Sequence, residues 1–180
     1  MSARPLPLLL AAVMAGTLVT ACSNPTGSLP ECEAGPRLAT IAQSVPTAAY
    51  VPCVERLAAG WTAGNLDAGR GSTRFALRPH RSGARTVKVA FEESCDARRA
   101  TPAPPRAEGV RTSIRLESVS PRYAGTIFDV FPGGCVTYRF DFARGPHIAL
   151  MEELGDTVGL FSRRQLRVSL QDQLGVELDG

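Results

Sequence analysis

The sequence predicts an α+β fold: a single antiparallel sheet of about five strands with helices packed on one face. Period-two alternation of apolar residues fills the middle of the chain, 73–142, as strands buried on one side require. Clusters of Gly, Pro and Ser interrupt that pattern at short intervals, which favours a meander over parallel crossovers. Helical spacing is confined to the two flanks, 36–45 and 146–174.

The elements follow in order. Leu38, Ile41 and Val45 recur at helical spacing, with Pro36 suited to a first turn and Pro46 closing the segment. Phe75 and Leu77, then Val87, Val89 and Phe91, flank the turn cluster Pro79-His80-Arg81-Ser82-Gly83 and predict a hairpin. After the Pro-rich loop 101–105, Val110, Thr112, Ile114 and Leu116 alternate with Arg111, Ser113, Arg115 and Glu117, the clearest half-buried strand. A second hairpin is expected over 126–131 and 135–142, joined by Pro132-Gly133-Gly134. It places Val136, Tyr138, Phe140 and Phe142 on one face. A helix over 146–154 stops at Gly155. Ser162 and Gln165 make a capping box for a last helix carrying Leu166, Leu170 and Leu174, ended by Gly175. No internal repeat is visible.

The chain opens with Arg4, an uncharged apolar run over 5–19, and then Thr20, Ala21 and Cys22. That is the order of a secretory signal. The run falls short of the ~20 residues a membrane-spanning helix needs. Val19-Thr20-Ala21-Cys22 resembles the lipobox of bacterial lipoproteins. The resemblance implies cleavage before Cys22, a diacylglyceryl thioether on its sulfur and an acylated amino terminus. The alternative is an ordinary secretory cut after Ala21 that leaves the protein unanchored. The expected organisation is therefore a signal peptide over 1–21, a lipidated flexible tether over 22–35 rich in Ser, Pro and Gly, and one α+β domain over 36–180. The expected location is the extracytoplasmic face of the cell membrane, with the bilayer itself a partner through Cys22.

Cysteine arithmetic points the same way. Five cysteines would leave a loose thiol in an exported protein. Lipid on Cys22 leaves Cys32, Cys53, Cys95 and Cys135 for two disulfides. Three pairings are open; Cys32 with Cys53 and Cys95 with Cys135 are favoured. The first closes a short loop around one helix, and the second joins the end of one strand to the start of another. No CxxC pair is present, and His80 and His147 are the only histidines, so no metal site is expected and no cofactor.

Lys88 is the only lysine among 20 basic residues, an arginine bias typical of a GC-rich, actinobacterial genome. Residues 54–115 hold twelve basic and six acidic residues, whereas 116–180 hold six and nine. The basic half suits anionic headgroups or wall polymers, although solvated strand faces give the same count. Nothing points to nucleic acid.

Chemistry is sparsely signalled. There is no G-x-S-x-G elbow, phosphate loop or H-E-x-x-H helix. His80 falls in a turn and His147 at a helix start. Among carboxylate pairs, Glu92 and Glu93 face opposite ways in a strand, and Glu152-Glu153 sit on a helix. Asp129 and Asp141 lie on paired strands with Arg139 near enough for a structural ion pair. Trp61 reads as core and Tyr123 as a loop aromatic suited to recognition. The VPC segment, Trp61 after Ala-Gly, and the run PRYAGTxxxVFPGGCVTYRFDF resemble an uncharacterised group of small actinobacterial envelope lipoproteins. That resemblance implies a lineage and no chemistry.

The functional expectation is a non-enzymatic binding or accessory module of the envelope, partnered by a membrane protein or an anionic envelope polymer. The alternatives are a carrier holding an apolar ligand between sheet and helices, and a hydrolase acting on envelope glycan or lipid through two carboxylates ~5 to 9.5 Å apart.

Overall fold

The protein is described by a computed structural model covering residues 29–80, 85–143 and 147–178. The leader, the lipobox and Cys22 lie outside the described residues, as do Arg81, Ser82 and Gly83 of the first hairpin turn and Pro146. In chain order the elements are α1 (Pro36–Ser44), β1 (Tyr50–Val54), β2 (Trp61–Gly69), β3 (Ser72–Pro79), β4 (Val87–Glu92) and β5 (Thr101–Pro102). There follow β6 (Arg111–Ser118), β7 (Tyr123–Phe131), β8 (Gly134–Phe142), α2 (His147–Thr157), β9 (Val158–Ser162) and α3 (Arg163–Leu174).

The expected single sheet of about five strands with helices packed on one face is not what forms. The chain is mostly β, with nine strands among the described residues in two sheets. Seven make an antiparallel sheet in the order β2-β3-β4-β8-β7-β6-β5, and β1 pairs with β9 in a second, two-stranded sheet. The additional strands have physical reasons for escaping the sequence pattern. β1 and β9 pair Tyr50 with Ser162 and Val54 with Val158, a long-range contact that no hairpin turn announces. β2 reads WTAGNLDAG, too rich in Gly for a strand by composition, and its register against β3 slips between Gly64 and Asp67. It holds as an edge strand because β3 supplies the ladder.

Core and outer faces of the large sheet follow the alternation. Phe75, Leu77, Val87, Val89, Phe91, Val136, Tyr138, Phe140 and Phe142 are buried in one cluster. Leu38 and Ile41 of α1, Leu150 and Leu154 of α2, Leu166 and Leu170 of α3, and Val51 and Val158 of the small sheet join that cluster. The small sheet therefore shares with the helices the task of covering the core face. At the hairpin between β7 and β8, Gly133 has φ +70, and a Cβ there would stand 1.9 Å from the Thr47 carbonyl oxygen. Only glycine lets this turn close against the loop after α1.

Helix ends differ in detail from expectation. Gly155 lies inside α2, which continues to Thr157. Ser162 is the N-cap of α3 but its side chain makes no cap hydrogen bond, so no capping box forms. Arg163 does the fastening instead. Its buried guanidinium donates to the carbonyls of Ala48 at 2.8 Å, Val45 at 2.9 Å and Ala42, bracing the end of α1 against the start of α3. Burial and the neighbouring Arg167 push this guanidinium down from its ordinary value. Gly175 ends α3 in the left-handed conformation, φ 63.

Cys32 pairs with Cys53 and Cys95 with Cys135. Leu29 is buried in the core, and the Cys32 and Val54 amides donate to the Val54 and Pro30 carbonyls at 3.1 and 2.8 Å. Residues 29–32 are thus fastened to the rest of the fold by these hydrogen bonds and by the Cys32–Cys53 bridge.

Candidate functional site

The outer face of the large sheet carries the most distinctive arrangement. Strand register sets Lys88 opposite Arg139, Arg139 opposite Thr126, and Thr126 opposite Arg115. The four side chains form one row across β4, β8, β7 and β6. Directly opposed residues stand about 4.5–5.5 Å apart at Cβ, so the row spans roughly 14 Å over three strand spacings. Small residues, Ala76, Ala90 and Thr137, lie beside it and leave a basin of about 640 Å³ that the row helps to line. A second basin of about 480 Å³, lined by Arg78, Arg85, Lys88 and Arg139 and by the Asp141 carboxylate, continues along the same face.

These cations are weakly neutralised. The Lys88 ammonium makes no ion pair or hydrogen bond among the described residues. Arg139 approaches Glu117 only at 3.9 Å, both side chains about half exposed or more. Arg115 lies 4.9 Å over the Phe128 ring and donates to the carbonyls of Asp96 and Arg98 at 3.3 and 3.5 Å. The acids at the rim are already engaged: Glu92 by Arg74 at 2.7 Å and Asp96 by Arg98 at 2.8 Å. The Arg98 side-chain and backbone hydrogen bonds hold the Asp96 carboxyl well below the usual carboxylate range. Within the row, the Thr126 hydroxyl is buried without a hydrogen-bond partner among the described residues. The Cys95–Cys135 bridge fastens the loop after β4 at the basin's edge. Such a surface offers several strong donors to an anion with more than two oxygens.

The carboxylate candidates do not converge. Asp129 lies on the core face, fully buried, accepting from Thr112 at 2.7 Å and from Arg106 at 3.1 Å. Asp141 lies on the outer face, paired with Arg122 at 2.5 Å and Arg85 at 3.4 Å. The sheet separates the two, and Arg139 serves neither. Glu92 pairs with Arg74, Glu93 is exposed, Glu152 is exposed, and Glu153 accepts the Trp61 indole N–H at 2.7 Å. Trp61 is core, as expected. His80 meets the Thr62 hydroxyl at 3.0 Å, and His147 stacks on Tyr123 with ring centroids 4.7 Å apart. Tyr123 opens β7 rather than sitting in a loop, and its ring also stacks on Phe140.

Sequence reasoning noticed the basic half of the chain but missed the row. Part of the signal lies in the alternation: Arg115 and Arg139 occupy the polar phase of strands whose apolar phase the sequence marks, whereas Thr126 lies on a strand with no marked phase. Register, which only the fold supplies, aligns them. Among the described residues no cluster of metal-ligating side chains occurs, and no helix is long and apolar enough to cross a membrane. No family model, curated protein or solved structure matches this chain.

Proposed function

We propose that the protein is a lipid-anchored, extracytoplasmic, non-enzymatic module of the bacterial envelope that binds an anionic ligand on the outer face of its large sheet. The observation that carries this reading is the row Lys88–Arg139–Thr126–Arg115. Like charges placed directly opposite across a ladder are destabilising, and here no acid is set between them. The leader and lipobox support the location, and the even number of cysteines left after Cys22 supports the oxidising compartment. The dispersal of the carboxylates onto opposite faces of the sheet argues against a hydrolase.

Two measurements test it. In cells, Cys22→Ser should abolish incorporation of labelled palmitate and release the protein from the membrane fraction; a variant that still sediments with membranes and carries label would refute the anchor. With the purified full chain, binding to a soluble polyglycerol phosphate should weaken at least tenfold when Arg115 and Arg139 are both changed to Gln, and should fall with added salt. Equal binding by both chains at low and high salt would refute the site.

A further inference from the structure

We infer that the anionic ligand is the headgroup layer of the protein's own membrane, and that a headgroup phosphate sits over Thr126 between the flanking cations. This rests on the lipid-anchored reading above.

Three features converge. The first is where the described chain begins. Leu29 lines a cleft with Glu31, Glu33, Glu55 and Arg56 and with Thr62 and Ala63 of β2. Thr62 stands opposite Arg78, and Arg78 lines the same basin as Lys88 and Arg139. The tether thus leaves the domain at the β2 edge of the sheet, next to Arg78 of β3, from a cleft that itself carries three carboxylates. The second is reach. Leu29 and Cys22 are seven positions apart, a span of at most about 25 Å even when fully extended. An anchor on Cys22 keeps this end of the sheet within that distance of the bilayer, where thermal motion brings it repeatedly inside the ~8 Å Debye layer of anionic lipids. The third is chemistry. A phosphate oxygen accepts a hydroxyl hydrogen bond as readily as a guanidinium fork, and Thr126, between Arg139 and Arg115, holds a buried hydroxyl with no partner among the described residues. A wall polymer shares this chemistry but is not held at the basin by the tether.

Lys88 provides the readout because it is the only lysine. The full lipidated chain is reconstituted into vesicles of phosphatidylcholine alone or with phosphatidylglycerol added, and acylation of the Lys88 amine is followed by mass spectrometry. Phosphatidylglycerol should slow labelling about fivefold or more, and ~1 M salt, which shortens the Debye length to about 3 Å, should restore it. Arg115→Gln with Arg139→Gln should abolish the protection while the chain still floats with the vesicles. Thr126→Val should weaken it severalfold with the fold intact by circular dichroism.

Equal labelling on both vesicle types overturns the proposal. Protection by soluble polyglycerol phosphate on phosphatidylcholine vesicles, with none from phosphatidylglycerol, also overturns it and assigns the row to a wall polymer. Flotation separates the two readings: a chain that fails to float with phosphatidylcholine vesicles refutes the anchor. In that case the Cys22→Ser chain, mixed with phosphatidylglycerol vesicles at low salt, still tests docking, since protection there depends on the row alone.

Discussion

The two faces of the large sheet treat charge in opposite ways. On the core face Thr112, Asp129 and Arg106 form a closed set: Thr112 and Arg106 donate to the two carboxylate oxygens. The Arg106 Nη2 donates to the Gly155 carbonyl at 2.8 Å and to the Val158 carbonyl, and the guanidinium stacks 5.0 Å over the Tyr138 ring. Burial pushes the Arg106 guanidinium down, but Tyr138 and Asp129 push it up by more, leaving it above its ordinary value. On the outer face Lys88, Arg139 and Arg115 repeat across the same strands with little opposing charge between them; a buried hydroxyl without a partner among the described residues occurs on both sides, Thr126 outside and Tyr138 inside. The difference assigns roles. Inside, charge ties the sheet to its cover of α2 and β9. Outside, Asp141 and Glu92 are held by Arg122, Arg85 and Arg74, while Lys88 and Arg139 are left with little opposing charge and are available to a ligand.

The sharpest way to break this comparison is to remove the inner cation. Arg106→Met leaves Asp129 buried without a counter-ion and should cost about 3–5 kcal/mol in urea denaturation. Adding Asp129→Asn should recover a large part of that loss. A cost below about 1 kcal/mol for the single variant would mean that the cluster is not the tie described here. Next in size is the covalent fastening of the basin. Replacing Cys95 and Cys135 together by Ala opens a bridge across a sequence separation of 40. It should lower stability by about 3–4 kcal/mol, with the outer-face ligand bound more weakly because the loop carrying Asp96 and Arg98 loses its attachment.

How far the sequence reveals these two faces depends on whether local pattern or register decides. The helix at Pro36, the hairpin of β3 and β4, the hairpin of β7 and β8, and the αL glycine after α3 are written in periodicity and turn residues, and they form. β1 with β9, and the Gly-rich β2, are stabilised only by partners distant in sequence or already in place, and local pattern cannot show them. The site divides likewise. Asp129 was noticed as a strand carboxylate but matched with Asp141 and Arg139, whereas its true partner Arg106 comes from a Pro-rich loop before β6. Arg115 and Arg139 are legible as polar-phase residues, and Thr126 is not. Their alignment needed the register.

Alkaline titration gives a third comparison. Burial drives the Tyr138 phenol far above its ordinary value, with Asp129 adding to the rise and Arg106 opposing it. In the unfolded chain the same phenol ionises near pH 10. Above that pH the unfolded state therefore holds fewer protons than the folded state, and stability falls by about 1.4 kcal/mol per pH unit from this group. Below pH 10 its contribution is fully present. Absorbance of phenolate should show one of the three tyrosines ionising only together with loss of the near-ultraviolet circular dichroism, and Tyr138→Phe should delete that step. Complete ionisation of all three before unfolding would show that the inner face admits water.

The smallest effect is the most discriminating. Lys88→Met keeps an aliphatic stem of similar length over Ala76 and Ala90 and removes only the charge facing Arg139. If the outer row exists for a ligand, its removal should leave stability unchanged or raise it by up to about 1 kcal/mol. The gain should shrink toward zero in ~1 M salt, because repulsion between exposed charges is screened there. Measured against Arg106→Met under the same conditions, the two changes should then differ in sign or nearly so. One removes a cation of the loop before β6 that lies against the inner face, the other a cation of β4 on the outer face. A cost of more than about 1 kcal/mol for Lys88→Met would mean that the ammonium stabilises the sheet, and the case for a row retained for binding would fall with it.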